Sequence, residues 1–270
     1  MSNKKDSLGD RMKENYENRA KTYLTRRIPV VLRLDGKAFH TYTKGFERPY
    51  DEVFHKAMNE TMKYLCENIQ GCKFGYTQSD EITLILTDYD KLTTDAWFDY
   101  AVQKMCSIGA SLATVAFNKF MIHAISDEVG LILADAVKGE KELTKEEEER
   151  KDKLLALAKK MPVFDCRCFN IPEDEVTNCL VWRQQDATRN AIQMLGQCHF
   201  SDKELDGKSC NKIQDMLMVQ KGINFNDMPV PFKRGVCCVK SDKGWIIDEN
   251  PPIFTQDRKY VESRFRVREE

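Results

Sequence analysis

No stretch of this chain approaches the roughly 20 consecutive apolar residues needed to cross a bilayer, so membrane partners are not expected. The N-terminal segment MSNKKDSLGDRMKENYENR is charged throughout and has no apolar core of the signal-peptide kind. That argues against secretion by this route and points to the cytoplasm. Neither a G-x-x-x-x-G-K-S/T loop nor a G-x-G-x-x-G turn is present, so the two commonest phosphate-cradling fingerprints are excluded. Only four histidines occur, none beside a nucleophile pattern, which leaves Ser-His-Asp and Cys-His catalysis without support. Lys plus Arg number 42 against 43 Asp plus Glu, so any nucleic-acid surface must be local rather than global. The ten cysteines include no C-x-x-C pair. Cys166 and Cys168 form C-x-C, and Cys237 and Cys238 are adjacent, spacings that read as reduced, buried thiols rather than a zinc site.

Apolar residues make up 41% of 270 positions, enough for one large domain or two coupled ones. Residues 6–22 are polar and mildly helical. Residues 28–34, IPVVLRL, are a β-rich run ending at Asp35-Gly36, a strand followed by a turn. Val53, Phe54, Ala57, Met58, Met62 and Leu65 recur at helical spacing between Asp51 and about Asn68. FGYTQ and ITLIL then flank Ser79-Asp80-Glu81 and read as a tight hairpin. Helical periodicity returns over 96–121. The charged run 138–153 reads as a solvated helix or insertion. It marks a seam between an N-terminal segment, residues 1–137, and a C-terminal segment, residues 138–270. Residues 164–170 read as a strand, 174–196 and 209–221 as helices, and 235–240 and 245–248 as strands.

From 28 to 170 the order is β-α-β-β-α-β, the ferredoxin-like arrangement. The fold class is therefore α+β, with a mainly helical C-terminal half. In that topology the first and third strands are central, antiparallel neighbours. Asp35 at the end of one meets Asp80 and Glu81 at the start of the other, although 45 positions separate the two aspartates. Two carboxylates at a sheet edge suit hard cations, and magnesium binds through one or two carboxylates plus substrate phosphates. Gly36 permits close backbone approach, the amides of residues 36–40 are placed to form an anion nest, and Lys37, His40 and Arg48 add donors for phosphate.

The ordered series VLRLDGKAFHTYTKGFERPYDE, GYTQSDEITLIL, FDCRCFNIP and VWRQQDATRN closely resembles the tRNA-His guanylyltransferase family and its bacterial and archaeal Thg1-like relatives, over roughly residues 28–240. The resemblance implies a polymerase-like palm that adds nucleotides in the 3′-to-5′ direction to the 5′ end of tRNA. It implies that Asp35, Asp80 and the Gly36 carbonyl hold two magnesium ions, and that a triphosphate lies along Asp35, Gly36, Lys37, Ala38, Phe39 and His40, with Arg48, Ser79 and Asp80. Asp35 and Asp80 would carry catalysis, with Glu81 supporting them. ATP and GTP or other NTPs would be substrates. A homotetramer is also implied.

Where eukaryotic members carry H-I-N-N, this chain has Ala187-Thr188-Arg189-Asn190-Ala191. That departure favours templated repair of 5′-truncated tRNA over G addition to tRNA-His. Trp182, Arg183, Gln184 and Asp186 still match; they read either as a packed, hydrogen-bonded helix start or as direct RNA or nucleotide contacts. Arg183, Arg189, Lys203, Lys208, Lys212, Lys233, Arg234, Arg264, Arg266 and Arg268 are candidate phosphate contacts, the last three alternatively an exposed strand. A tRNA-His guanylyltransferase proper, a palm-fold cyclase or forward polymerase, and a non-catalytic RNA-binding module remain alternatives.

Overall fold

The computed structural model describes residues 7–266. In chain order its elements are α1 (Leu8–Met12), β1 (Val30–Gly36), α2 (Phe39–Tyr42), α3 (Glu52–Asn68), β2 (Cys72–Gln78), β3 (Glu81–Leu86), α4 (Val102–Lys138), α5 (Lys145–Ala158), β4 (Phe164–Asn170), α6 (Glu173–His199), α7 (Asp202–Leu205), α8 (Cys210–Met216), α9 (Val230–Arg234), β5 (Val236–Ser241), β6 (Gly244–Asp248) and α10 (Lys259–Phe265). No helix among the described residues is long and apolar enough to cross a membrane.

The strands form one antiparallel sheet in the order β4-β1-β3-β2-β5-β6. Its first four strands have the order that β-α-β-β-α-β connectivity demands. Side chains alternate across the pleat, so each strand feeds two cores. Leu32, Leu34, Ile82, Leu84 and Leu86 pack with Met58, Met62 and Leu65 of α3 and with Met105 and Phe117 of α4. On the other face Val31, Phe74, Tyr76 and Ile85 pack with Val176 and Leu180 of α6 and Val261 and Phe265 of α10. A third, smaller cluster joins Ile192 and Leu195 of α6 to Ile213 and Met216 of α8 and to Phe232 of α9. The central strands are thus covered on both faces, which explains why ITLIL is apolar but for Thr83, itself buried.

Two local expectations are corrected and a third is refined. The helix read over 96–121 begins at Val102 and runs to Lys138, because Trp97–Tyr100 form a separate tight turn with left-handed Phe98 and Asp99. The charged run 138–153 is mostly solvated, as read, but Arg150 within it is paired with buried Asp51. Thr144 opens α5 with a capping box to Glu147, and Leu154 and Leu157 at its far end are buried in the main core. The exposed-strand alternative for the tail fails over the described residues: Lys259–Phe265 is helical and buries Val261 and Phe265. Arg268 lies outside the described residues.

Candidate active site

β1 ends where β3 begins. In the ladder Asp35 is cross-strand from Glu81 on one side and from Asp165 of β4 on the other. The Gly36 amide donates to the Asp80 carbonyl at 3.1 Å, which ties the β2–β3 turn to the strand that carries Asp35. The sequence therefore brings Asp35, Gly36, Ser79 and Asp80 to one sheet edge. Glycine is required at 36 for a packing reason: a Cβ there would stand 2.3 Å from the Phe39 ring. Ser79, at φ 50°, turns the hairpin, and its hydroxyl donates to Asp80 Oδ1 at 3.1 Å. Ala38 is also left-handed, at φ 57°, and precedes α2.

Burial raises the proton affinity of both aspartates. Asp80 is pushed up to about 6, first by burial and then by the charge of Asp35, against the pull of its own amide and the Ser79 hydroxyl. Asp35 is also raised, by burial, then by Glu81 and Asp165, with Arg33 and Arg167 opposing. The compensation is weak: Arg167 Nη2 lies 3.9 Å from Asp35 Oδ2 and 3.5 Å from Asp165 Oδ1. Asp80 feels the charge of Asp35, and the only salt bridge to either among the described residues is that long contact with Arg167, so the pair could take up an added cation. Among the described residues no three His, Cys, Asp or Glu side chains close into a metal cage. An open pair fits magnesium, which completes its shell with water and phosphate, better than zinc.

A pH dependence follows. A cation held by Asp80 would compete with the proton, which burial keeps on that carboxyl up to about pH 6. Divalent-ion affinity, measured with Mn²⁺ by electron paramagnetic resonance, is expected to be flat above pH 6. Below it the affinity should fall about tenfold per pH unit, one proton being displaced per ion. Affinity independent of pH between 5 and 7 would remove Asp80 from the ion's shell.

Glu81 is differently engaged. Its Oε1 accepts from Arg33, and its Oε2 accepts from Gln78 Nε2 at 3.0 Å and pairs with Arg183 Nη2 at 2.8 Å. Arg183, only 3% exposed, also pairs with Asp186 Oδ2 at 2.6 Å. Its guanidinium lies 4.2 Å from the ring centre of half-exposed Trp182. Gln184 donates to the Pro252 carbonyl at 2.9 Å and accepts from the Phe254 amide at 2.9 Å. The W-R-Q-x-D segment therefore sits inside α6, not at a helix start. Arg183 and Gln184 are packed and hydrogen-bonded within the protein, while Trp182 keeps half its surface.

Beside this edge lies a cavity of about 110 Å³ whose lining includes Phe46, Arg48, Phe54, Ser79, Asn190 and Phe232. His55 also lines it, stacked on Tyr50 at a centroid distance of 4.0 Å, and burial lowers its pKa to about 4, so it is a neutral donor–acceptor. Lys37 and His40 are exposed on the turn after β1. Phe39 points the other way, into an aromatic cluster with Tyr42, Phe54, Phe117 and Phe164, so it offers a ligand only backbone. Among the basic candidates Lys203, Lys208, Lys212 and Arg189 are exposed. Arg189 is paired with Asp186, Lys233 with the Asn226 carbonyl, and Arg266 with Asp174. Asp165, the Arg33–Glu81–Arg183 network and the Asp51–Arg150 pair discussed below were missed by sequence reasoning. Each depends on strand register or helix docking, although Asp165 and Arg183 stand inside motifs already noted.

The tRNAHis guanylyltransferase family model, Thg1, matches residues 9–172, more than half of the chain. A bacterial Thg1-like protein solved in complex with ATP superposes at a TM-score of 0.82 and 41% identity, covering 97% of this chain and all of that one. A bacterial Thg1-like protein in complex with GTP gives 0.73 and 37% at 97% and 100% coverage. The tRNA(His) guanylyltransferase of Saccharomyces cerevisiae is 27% identical over 82% of this chain and 85% of its own length. The chain thus belongs to the tRNA-His guanylyltransferase family, whose members are nucleotidyltransferases.

Proposed function

We propose that this chain adds nucleotides from NTPs to the 5′ end of tRNA in the 3′-to-5′ direction, with magnesium at Asp35 and Asp80, and that it repairs 5′-truncated tRNA. The observation that carries the reading is the convergence of Asp35 and Asp80 through the Gly36–Asp80 hydrogen bond, next to a cavity lined by Arg48 and Ser79. Glu81 supports this edge, and the sheet acts as a polymerase-like palm. A 5′-monophosphate is a poor electrophile because its leaving group would be hydroxide or oxide. It is first adenylylated with ATP, or the end already carries a triphosphate. The 3′-hydroxyl of the incoming NTP then attacks the activated 5′-phosphate and displaces AMP or pyrophosphate. Magnesium bound at this edge would lower the pKa of that hydroxyl and offset the departing charge.

The residues supply the rest. Asp35, Asp80 and the Gly36 carbonyl hold the ions. The amides of Lys37, Ala38, Phe39 and His40, with the Lys37 and His40 side chains, Ser79 and Arg48, orient the triphosphate. The cavity beyond Arg48 and Ser79 takes the base. Bacterial relatives solved with ATP and with GTP support nucleotide use of this kind. The segment Ala187–Ala191, which lacks the histidine of H-I-N-N, supports repair over G addition. The C-terminal segment, residues 138–270, holds the tRNA through Lys203, Lys208, Lys212 and Arg189, whose exposure supports phosphate contact. We place the reaction in the cytoplasm, where ten free thiols stay reduced. A homotetramer is supported by Ile108, Val115 and Ile122, exposed at seven-residue spacing on α4.

The test is incubation with tRNAs lacking one or more 5′ nucleotides, ATP, magnesium and each labelled NTP, beside intact tRNA-His. Label should enter the 5′ end of the truncated tRNAs in the order their opposite strand dictates. Label only on tRNA-His as an added G would replace repair by G addition. Label at a 3′ end or in a cyclic nucleotide would reject the reading.

A further inference from the structure

We infer that Arg183, in the middle of α6, is a positioning residue that holds the acidic edge in its working geometry through Glu81; the inference rests on the function proposed above. Arg183 is nearly inaccessible at 3% exposure, so it is not a surface contact for RNA. Its Nη2 lies 2.8 Å from Glu81 Oε2 and 2.6 Å from Asp186 Oδ2, and Trp182 covers the guanidinium from outside. Burying such a group is a poor way to gain stability, since well-packed apolar residues of the same volume usually do as well or better. The arrangement is better explained by what it fixes.

Glu81 adjoins Asp80, and three partners saturate its side chain: Arg33 at Oε1, and Arg183 and Gln78 at Oε2. Its carbonyl accepts from Thr77 Oγ1 at 2.9 Å, closing the hairpin turn from the other strand. The turn so held presents the Asp80 carbonyl to the Gly36 amide at 3.1 Å. A chain of direct contacts therefore runs from α6 through Arg183 and Glu81 to the turn that aims Asp80 at Asp35. It also keeps Glu81 from swinging in as a third carboxylate. Without Arg183, Oε2 keeps only the neutral Gln78 donor, and an ångström of play at a two-carboxylate site costs about 100-fold in rate.

The test is a double-mutant cycle on Arg183→Gln and Glu81→Gln, with Arg183→Lys as the conservative variant. Turnover on 5′-truncated tRNA, tRNA affinity by fluorescence anisotropy, and affinity for Mn²⁺ with ATP by electron paramagnetic resonance are read on the folded full-length chain. R183Q is expected to lower kcat about 100-fold and to weaken Mn²⁺ with ATP, while tRNA affinity stays within twofold. R183K should recover part of the loss, because its ammonium keeps a positive charge for Glu81 but not the planar guanidinium that stacks on Trp182. The double variant should be no worse than R183Q alone, because both act on one contact. Wild-type kcat in R183Q, a drop in tRNA affinity that accounts for the loss, or additive single effects would each overturn the inference. If the wild type makes no product on any tRNA, the proposed function fails. The cycle is then decided by Mn²⁺ with ATP alone, and unchanged binding in R183Q sinks the inference independently.

Discussion

Alanine at Asp35 or at Asp80 is expected to lower nucleotide transfer by roughly 10³-fold or more while tRNA binding stays nearly intact. The size follows from electrostatics in a partly dry site: removing one preorganised group aimed at developing charge typically costs 10²–10³ in kcat. On the proposed function each aspartate also supplies half of the carboxylate pair that would hold the ions. The two are not independent, since the charge of Asp35 raises the proton affinity of Asp80. Removing either relieves a repulsion and a buried charge, so thermal stability should hold or rise slightly even as activity vanishes. Rapid-quench product analysis reads the first effect and a thermal melt the second. Full activity in either variant would refute the assignment.

The second large effect concerns a pair that joins the charged helix to the cavity beside Arg48. Asp51 is 4% exposed and caps α3, accepting from the amides of Val53 at 3.0 Å and Phe54 at 3.3 Å. Its Oδ2 accepts from the Glu47 amide at 2.8 Å and from Arg150 Nη1 of α5 at 2.6 Å. Asp51→Ala should cost about 3–5 kcal/mol, because it removes a helix cap and leaves the Arg150 guanidinium without its closest partner. Arg150→Met should cost less, about 1.5–3 kcal/mol, the range for a hydrogen bond to a charged group. Asp51 would still be held by three amides at a helix N-terminus, where negative charge is favoured. Denaturant unfolding measures both. The order matters more than the values: a larger loss for Arg150→Met would show that α5, rather than the cap, carries the site. Because Asp51 lines the cavity beside Arg48, both variants should also weaken ATP binding.

Much of this was legible in the chain. The β-rich apolar run IPVVLRL and the spacing of Val53, Ala57, Met58, Met62 and Leu65 gave the right elements, because local propensity and burial agreed there. The pairing of Asp35 with the 80–81 turn followed from topology, which has few solutions once β-α-β-β-α-β is read. Element ends were less legible. The start of α4 was missed because left-handed Phe98 and Asp99 break the helix without a glycine or proline to signal it. The docking of α5 was missed because Leu154 and Leu157 fall at the edge of a run that is otherwise almost all charge.

The roles inside W-R-Q-x-D show where sequence reasoning stops. Trp182 and Arg183 are neighbours, yet one is half exposed and the other buried under it. A helix of 3.6 residues per turn points consecutive side chains about 100° apart, and which of them meets the sheet depends on where α6 lies across it. By itself the sequence determined the family, the strand and helix order and the meeting of Asp35 with the 80–81 turn, since these depend on local pattern and connectivity. Only the tertiary structure decided that Asp165 flanks Asp35, that Phe39 is core, that Glu81 is saturated by two arginines and a glutamine, and that α5 reaches Asp51. Those depend on register and docking, which the pleat and the packing of distant elements set jointly.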